Sequence, residues 1–160
     1  MNIKLYNLAK KVGFALKKKK LFIAIAESCT GGMLATTITD VPGSSAYFER
    51  GFIPYSNVAK TELLAVKKLN IKKFGAVSEK VAAEMVEGVL KYSHAQIGLA
   101  ITGIAGATGG SKNKPKGMVC FALAYKGEPP KAITTYFKGN RDAIRVQAVA
   151  FALQWLLLEL

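Results

Sequence analysis

The stretch Leu21-Phe22-Ile23-Ala24-Ile25-Ala26-Glu27-Ser28-Cys29-Thr30-Gly31-Gly32 runs from an apolar segment into a glycine turn, and a helical pattern follows over 33–38. Its spacing predicts a buried strand, a tight turn and a helix in succession. Ser28 then lies at the carboxyl end of the strand. The first backbone N–H groups of the helix are expected to point at whatever lies over its hydroxyl. These N–H groups belong to Thr30, Gly31 and Gly32.

This turn predicts a nucleophile beside an anion-binding site. In acyl transfer, the oxygen that becomes negative needs preorganised donors about 3 Å away. A structural interpretation of the same residues, an N-cap followed by two flexible glycines, stays open at this point. Cys29 is a second candidate nucleophile, because thiols are intrinsically more nucleophilic than hydroxyls. Neighbouring side chains on a turn point in different directions, which favours Ser28.

Helical and extended apolar patterns alternate along the rest of the chain, which is typical of an α/β fold. A chain of 160 residues suits one domain. We therefore expect residues 1–160 to form a single three-layer domain with a central, mostly parallel but mixed sheet flanked by helices. The predicted strands are 21–26, 47–55, 96–101, 118–125 and 133–137. The predicted helices are 3–19, 33–40, one from Ser56 or Asn57 to Val66, one that begins after Ser78 and one that begins after Asn140.

Two glycine-rich segments follow predicted strands. One is the turn after Ala26 and the other is the loop over 102–110. Ligands of α/β sheets bind beyond the carboxyl ends of the strands. We expect the two segments to meet there.

Composition limits the class of protein. No apolar run approaches the ~20 residues that span a bilayer, and residues 1–20 lack the apolar core and cleavage site of a signal peptide. We therefore expect a cytoplasmic protein with no membrane partner. The two cysteines, Cys29 and Cys120, and the one histidine, His94, form no metal-ligand spacing, so neither a metal nor a cofactor is expected.

The chain is strongly basic, with 23 Lys+Arg against 10 Asp+Glu and a formal net charge of +13. Such a charge attracts polyanions without specificity. Most of the cationic side chains are lysines, spread over several segments with few aromatic residues between them. That distribution is typical of solvated faces, so no dedicated nucleic-acid partner is expected.

A serine hydroxyl requires a neighbouring base, and lysine is the candidate here because His94 is expected at a solvated helix end. In a serine–lysine dyad the lysine must leave solvent so that its pKa falls. Lys60 lies on the first turn of a short helix after the second predicted strand, where a second catalytic group would have to stand. Tyr55 could donate a hydrogen bond to the nucleophile or the leaving group. The alternative for Lys60 is an ordinary surface lysine.

Six motifs occur in one order along the chain. They are Ala26-Glu27-Ser28-Cys29-Thr30-Gly31-Gly32, Pro42-Gly43-Ser44-Ser45-Ala46-Tyr47-Phe48-Glu49-Arg50-Gly51-Phe52, Tyr55-Ser56-Asn57 with Ala59-Lys60, Gly75-Ala76-Val77-Ser78-Glu79, Thr102-Gly103-Ile104-Ala105-Gly106, and Gly139-Asn140-Arg141-Asp142 with Arg145. Together they resemble the signature of the competence/damage-inducible CinA carboxy-terminal domain family, over about residues 6–156. Pro54 departs from that signature, because the family usually has threonine there.

The resemblance implies an amidohydrolase. Stand-alone members of the family hydrolyse nicotinamide mononucleotide to nicotinic acid mononucleotide and ammonia, without a metal. Carried onto this chain, the resemblance implies that Ser28 is the nucleophile, Lys60 the general base and Tyr55 a supporting hydroxyl. The glycine turn after Ser28 would form the oxyanion hole. The residues implied to close over the substrate are Thr102, Gly103 and Gly106.

Three further residues are candidates for substrate binding. Arg141 and Arg145 lie one helical turn apart near the start of the last helix, and we assign them to the phosphate of the nucleotide. A structural role in salt bridges is the alternative for both. Ser44, from the second motif, is counted with them.

Two other classes of function stay open. A non-catalytic, regulatory nucleotide-binding module would bind the nucleotide without releasing ammonia. A polyanion-binding protein would show a strongly salt-dependent affinity for nucleic acid. In addition, the apolar final helix and the exposed strand edge favour a homo-oligomer.

Overall fold

The computed structural model describes residues 1–106 and 108–160; Ala107, within the predicted glycine loop, lies outside these ranges. In the described part, five strands form one sheet in the order β2-β1-β3-β4-β5. The strands are β1 Ile23–Glu27, β2 Phe48–Phe52, β3 Ile97–Gly103, β4 Met118–Tyr125 and β5 Lys131–Tyr136. The α-helices are α1 Ile3–Lys19, α2 Met33–Thr39, α3 Asn57–Leu64, α4 Lys68–Phe74, α5 Glu79–Lys91 and α6 Arg141–Glu159. No helix in this part of the chain is long and apolar enough to cross a membrane.

The sheet is mixed. β1 lies parallel to both β2 and β3, whereas β4 lies antiparallel to β3 and β5. The prediction of an α/β fold with a mixed sheet flanked by helices is confirmed. Glu27 at the end of β1 stands opposite Ile101 of β3, and the Ser28 amide donates to the Ile101 carbonyl at 3.0 Å. The turn after β1 and the loop after β3 therefore leave the sheet at the same edge.

Successive side chains of a strand point to opposite faces of the sheet. In this sheet, large side chains lie on one face and small side chains on the other. On one face, large residues such as Ile25, Leu99 and Phe121 pack against α1, α2 and α6. On the other face, small residues such as Ala100 and Ala122 pack against α5. The small face allows α5 to approach the sheet closely, and α3 packs on α5 in turn.

The predicted elements are confirmed within a few residues, apart from β2 and α4. β2 is shorter than its predicted range and lies at one edge of the sheet. The apolar pattern does not predict α4, because this helix has no buried residue. A tertiary contact fixes its start instead: the carboxylate of Glu84 accepts hydrogen bonds from the Lys67 amide at 3.2 Å and the Asn70 side chain at 2.9 Å.

The helices α3 and α5 meet at a glycine. A Cβ atom added at Gly88 would lie 2.2 Å from the carbonyl oxygen of Leu64. A larger residue at position 88 would therefore push α3 away. This close approach sets the position of α3, which is the helix that carries Lys60.

Candidate active site

Ser28 and Lys60 meet in the folded chain, although they are 32 positions apart in sequence. The Nζ atom of Lys60 lies 3.3 Å from the Oγ atom of Ser28. Both side chains are buried, with 2% exposure for Lys60 and 7% for Ser28. At this distance a base can take the proton of a hydroxyl.

The surroundings of Lys60 favour its neutral form. Burial lowers the pKa of Lys60, and the neighbouring Cys29 has a smaller effect in the opposite direction. The Lys60 Nζ also lies 3.2 Å from the carbonyl oxygens of Pro54 and Tyr55. A neutral amine has two N–H bonds and one lone pair. Donating to the two carbonyls therefore leaves the lone pair for the hydroxyl proton of Ser28.

The segment between β2 and α3 supplies these carbonyls and then begins the helix. The Oγ of Ser56 accepts a hydrogen bond from the Ala59 amide at 3.0 Å, so Ser56 is the N-cap of α3. This cap places Lys60 on the first turn, as predicted. Pro54 contributes a backbone carbonyl, which every residue carries, so its departure from the family signature leaves the contact with Lys60 in place.

The glycine turn uses part of its backbone internally. The Gly31 amide donates to the Ser28 carbonyl at 3.0 Å, and the Gly32 amide donates to the Glu27 carboxylate at 3.2 Å. The prediction that these two amides are free to bind an oxyanion is therefore wrong. The reason is the left-handed conformation of both glycines, which folds the turn back on itself.

Two other amides of the turn differ from those of Gly31 and Gly32. Within residues 1–106 and 108–160, the N–H groups of Cys29 and Thr30 have neither a backbone carbonyl nor a side-chain oxygen as acceptor. They belong to the two residues that directly follow Ser28. The candidate oxyanion donors are therefore Cys29 and Thr30, of which only Thr30 is predicted from the sequence.

Glu27 is a buried carboxylate that the sequence analysis does not select. It is 1% exposed and accepts hydrogen bonds from the amides of Gly32, Leu34 and Ala35 at 3.2, 2.9 and 2.8 Å. These amides open α2, so Glu27 replaces the N-cap side chain that Gly32 lacks. Its sequence signal is a carboxylate at the end of an apolar strand, directly before a turn into a helix.

A cavity of about 340 Å³ opens over Ser28 and Lys60. Its described lining contains the guanidinium of Arg141 beside the Lys60 amine, and neither aspartate nor glutamate. The Nη2 of Arg141 donates to the hydroxyl of Tyr55 at 3.2 Å, and both side chains are exposed, so this pair lies at the entrance. The charge of the lining suits an anionic ligand. No group of three His, Cys, Asp or Glu side chains in the described residues could hold a metal ion.

The loop after β3 forms another wall of this cavity. Thr102, Gly103 and Gly106 all line it. A Cβ atom at Gly103 would lie 3.0 Å from the Sγ of Cys29, so a side chain there would press on the turn that carries Ser28. The buried hydroxyl of Thr102 donates to the Ala76 carbonyl at 2.9 Å. This bond ties the β3 loop to the motif over 75–79.

Several predicted substrate-binding residues lie outside the cavity. Gly31, Gly32 and Arg145 line a larger cavity of about 840 Å³, and none of its described lining residues belongs to the first cavity. The guanidinium of Arg145 donates to the Thr30 carbonyl at 3.0 Å, and it forms no salt bridge within the described residues. The structure places Arg145 against the turn itself, outside the cavity over Ser28, and its assignment to the substrate phosphate stays a prediction.

Ser44 is not brought to the site either. It begins the 3-10 turn that leads into β2, and β2 is parallel to β1. The start of β2 and the end of β1 therefore lie at opposite ends of these two neighbouring strands. Ser28 follows the end of β1, so the parallel pairing separates Ser44 from the nucleophile turn.

Cys29 is buried beside Ser28, and burial raises the pKa of its thiol to about 12. Only the thiolate is a strong nucleophile. We expect iodoacetamide at pH 7.5 to leave both Cys29 and the buried Cys120 unlabelled in the folded protein, and to label both after denaturation, as measured by mass spectrometry. Labelling of Cys29 in the folded protein would make the thiol a candidate nucleophile again.

Comparison with known proteins agrees with this fold. The nicotinamide-nucleotide amidohydrolase PncC of Enterobacter agglomerans is 47% identical over 156 residues, which cover 98% of this chain and 95% of that protein. The PncC protein of Escherichia coli (strain K12) is 48% identical over 152 residues, which cover 95% and 92%.

Solved structures show the same architecture. The competence/damage inducible protein CihA from Agrobacterium tumefaciens has a TM-score of 0.93 at 37% identity, covering 97% of this chain and 94% of that one. The CinA superfamily protein ECK1530/EC0983 from Escherichia coli has a TM-score of 0.94 at 34% identity, covering 100% and 93%. The family model described as the CinA C-terminal domain matches residues 5–160. The chain therefore belongs to the CinA C-terminal domain family.

Proposed function

We propose that the chain is a nicotinamide-nucleotide amidohydrolase, which converts nicotinamide mononucleotide to nicotinic acid mononucleotide and releases ammonia. The contact of 3.3 Å between the Ser28 Oγ and the buried Lys60 Nζ carries this proposal. The printed names of the PncC relatives, which share nearly the whole chain, support the substrate.

In the first half of the reaction, Lys60 takes the proton of the Ser28 hydroxyl while the Oγ attacks the carboxamide carbon. The carbonyl oxygen becomes an oxyanion, which accepts hydrogen bonds from the amides of Cys29 and Thr30. Lys60, now an ammonium, returns the proton to the amide nitrogen. The C–N bond breaks, ammonia leaves, and an ester between Ser28 and the pyridine carboxyl group remains.

In the second half, water attacks the ester carbonyl and gives its proton to Lys60. The same two amides stabilise the second oxyanion. The proton then passes from Lys60 to the Ser28 oxygen as the C–O bond breaks, which releases the pyridine carboxylic acid. The acid loses its remaining proton to solvent and becomes the carboxylate. Lys60 thus serves as base and acid in turn. Burial lowers the pKa of Lys60 and so favours the neutral amine that the first step needs.

Arg141 at the entrance of the cavity is proposed to bind the phosphate of the nucleotide. We expect Arg141→Met to raise the KM for nicotinamide mononucleotide about 10- to 100-fold with little change in kcat, because a charge-assisted hydrogen bond to the phosphate is lost. Nicotinamide riboside, which has no phosphate, is the matched substrate, and its KM should not change. An equal loss with both substrates would remove Arg141 from the phosphate site.

Ammonia release from nicotinamide mononucleotide is the direct test of the proposed function. The purified chain is expected to produce ammonia and nicotinic acid mononucleotide in equal amounts, measured by a coupled ammonia assay and by chromatography. Tight binding of the nucleotide without ammonia would instead identify a non-catalytic, regulatory module. Binding of nucleic acid that weakens steeply with salt would identify a polyanion-binding protein.

Three expectations about location and partners stay predictions. They are a cytoplasmic location, self-association and the absence of a dedicated nucleic-acid partner. Self-association is supported by apolar side chains that lie exposed on the surface. Leu158 of α6 is 84% exposed. Ile133 and Tyr136 lie exposed on the edge strand β5.

A further inference from the structure

Arg145 lies close to the nucleophile, but the proposed mechanism does not use it. Its Nη2 donates to the Thr30 carbonyl at 3.0 Å, and a Cβ atom at Gly31 would lie 3.4 Å from the same nitrogen. The guanidinium therefore packs against the turn over 28–32. Its Nε is buried and has no acceptor among the described residues. Burying a polar group in this way costs free energy, which a solvent-facing arginine would avoid.

Glu27 holds the next peptide group of the same turn. Arg145 binds the carbonyl of the peptide that joins Thr30 to Gly31. The Glu27 carboxylate binds the N–H of the following peptide, at Gly32. Two charged side chains of opposite sign therefore fix two consecutive peptide planes. The N–H groups of the preceding peptides, at Cys29 and Thr30, are the candidate oxyanion donors described above.

We propose that Arg145 is a positioning residue of the nucleophile turn: together with Glu27 it fixes the peptide groups after Thr30, and thereby the amides of Cys29 and Thr30. Its effect on catalysis rests on the proposed amidase function. Its effect on the turn rests on the contacts alone, so the two can be measured separately.

The positive charge of Arg145 also acts electrostatically on the turn. Both Arg141 and Arg145 act to lower the pKa of the Cys29 thiol, although burial outweighs them. A positive charge behind the turn stabilises the oxyanion that develops in the transition state more than it stabilises the neutral carboxamide. Loss of Arg145 should therefore lower kcat rather than raise KM.

Arg141 is the matched control, because it lies one turn earlier on the same helix. It lines the cavity over Ser28, whereas Arg145 lines the other cavity. The two arginines therefore present the same guanidinium group to two different cavities beside the turn. If Arg145 bound the phosphate, replacing it would act on KM as expected for Arg141.

The kinetic test compares Arg145→Met and Arg145→Lys with the parent protein. Arg145→Met is expected to lower kcat about 10- to 100-fold, to the same extent for nicotinamide mononucleotide and nicotinamide riboside, with KM within about twofold. Arg145→Lys keeps a positive charge and a hydrogen-bond donor. Its kcat should therefore be about threefold or more above that of Arg145→Met. An unchanged kcat, or a raised KM for the mononucleotide alone, would overturn the proposal.

Hydrogen–deuterium exchange of the backbone tests the turn without any turnover. We expect the amides of Gly32, Leu34 and Ala35 to exchange at least several-fold faster in Arg145→Met than in the parent, and at the parental rate in Arg141→Met. Exchange that stays unchanged, or that rises equally over the central strands, would overturn positioning. If Arg145→Met does not fold, Arg145→Lys is measured in its place. If the parent protein releases no ammonia, the amidase function fails while exchange still decides the role of Arg145.

Discussion

Replacing Ser28 with alanine is expected to lower kcat for ammonia release from nicotinamide mononucleotide by about 10⁴-fold or more. In the proposed mechanism the Ser28 oxygen forms the covalent bond to the carboxamide carbon. The neighbouring thiol of Cys29 cannot replace it, because burial raises its pKa to about 12 and keeps it protonated. Steady-state kinetics with a coupled ammonia assay measure this loss.

Ser44→Ala is the matched control for Ser28→Ala. Ser44 belongs to another motif of the family signature, but it precedes the start of β2, at the strand end opposite to Ser28. Its kcat and KM should stay within about twofold of the parent values, as surface substitutions usually do. Binding of the mononucleotide to Ser28→Ala, measured by calorimetry, shows whether the cavity remains intact. Full turnover by Ser28→Ala would end the covalent mechanism.

Replacing Lys60 with methionine is expected to lower kcat about 10³-fold or more, because the variant keeps the volume of the side chain but has no base. Lys60→Arg should not restore activity, since a guanidinium stays protonated. Lys68→Met, on the exposed start of α4, is the control and should keep parental activity. Substantial turnover by Lys60→Met would show that another group takes the Ser28 proton.

The dependence of kcat/KM on pH tests the protonation of Lys60. In the proposed mechanism Lys60 acts as a base only when it is neutral, so kcat/KM should rise with pH as its ammonium loses a proton. Burial lowers this pKa from the ordinary value of 10.5. The rising limb is therefore expected at a lower pH than that at which an exposed lysine titrates. A limb centred near 10.5 would contradict a desolvated Lys60.

The lowered pKa of Lys60 also makes the free energy of unfolding depend on pH. Between the folded and unfolded pKa values of Lys60, the unfolded chain binds more protons than the folded chain, so the free energy of unfolding rises with pH across that window. Below the window, Lys60 lowers stability because its charged form is buried. Lys60→Met should remove this slope and be at least as stable as the parent at pH 7, measured by urea unfolding. A less stable Lys60→Met would show that the lysine serves the fold.

Local patterns were sufficient for the elements around the site. The strand before Ser28 appears as an apolar run, and the turn appears as two adjacent glycines. The helix with Lys60 begins at Ser56, whose hydroxyl caps it. Each of these features depends on residues a few positions apart, which is the range over which strand and helix periods and caps act. The family signature then supplied the expected reaction.

Long-range packing decided the rest. α4 begins directly after Lys67, whose amide donates to Glu84 of α5, and no apolar stripe predicts this helix. Glu27 and Arg145 reach the turn from β1 and α6, so their contacts with it follow from how these elements pack. Parallel pairing of β2 with β1 carried Ser44 away from Ser28, although both belong to one ordered set of motifs.

The amino-acid pattern alone predicted the glycine turn that follows Ser28, and it predicted Lys60 as the partner of that serine. Both predictions depend on short stretches of sequence. The burial of Lys60, its 3.3 Å contact with Ser28 and the identity of the free amides came only from the folded chain. Desolvation and hydrogen bonds between distant segments are produced by packing in three dimensions, and no periodicity along the chain contains them.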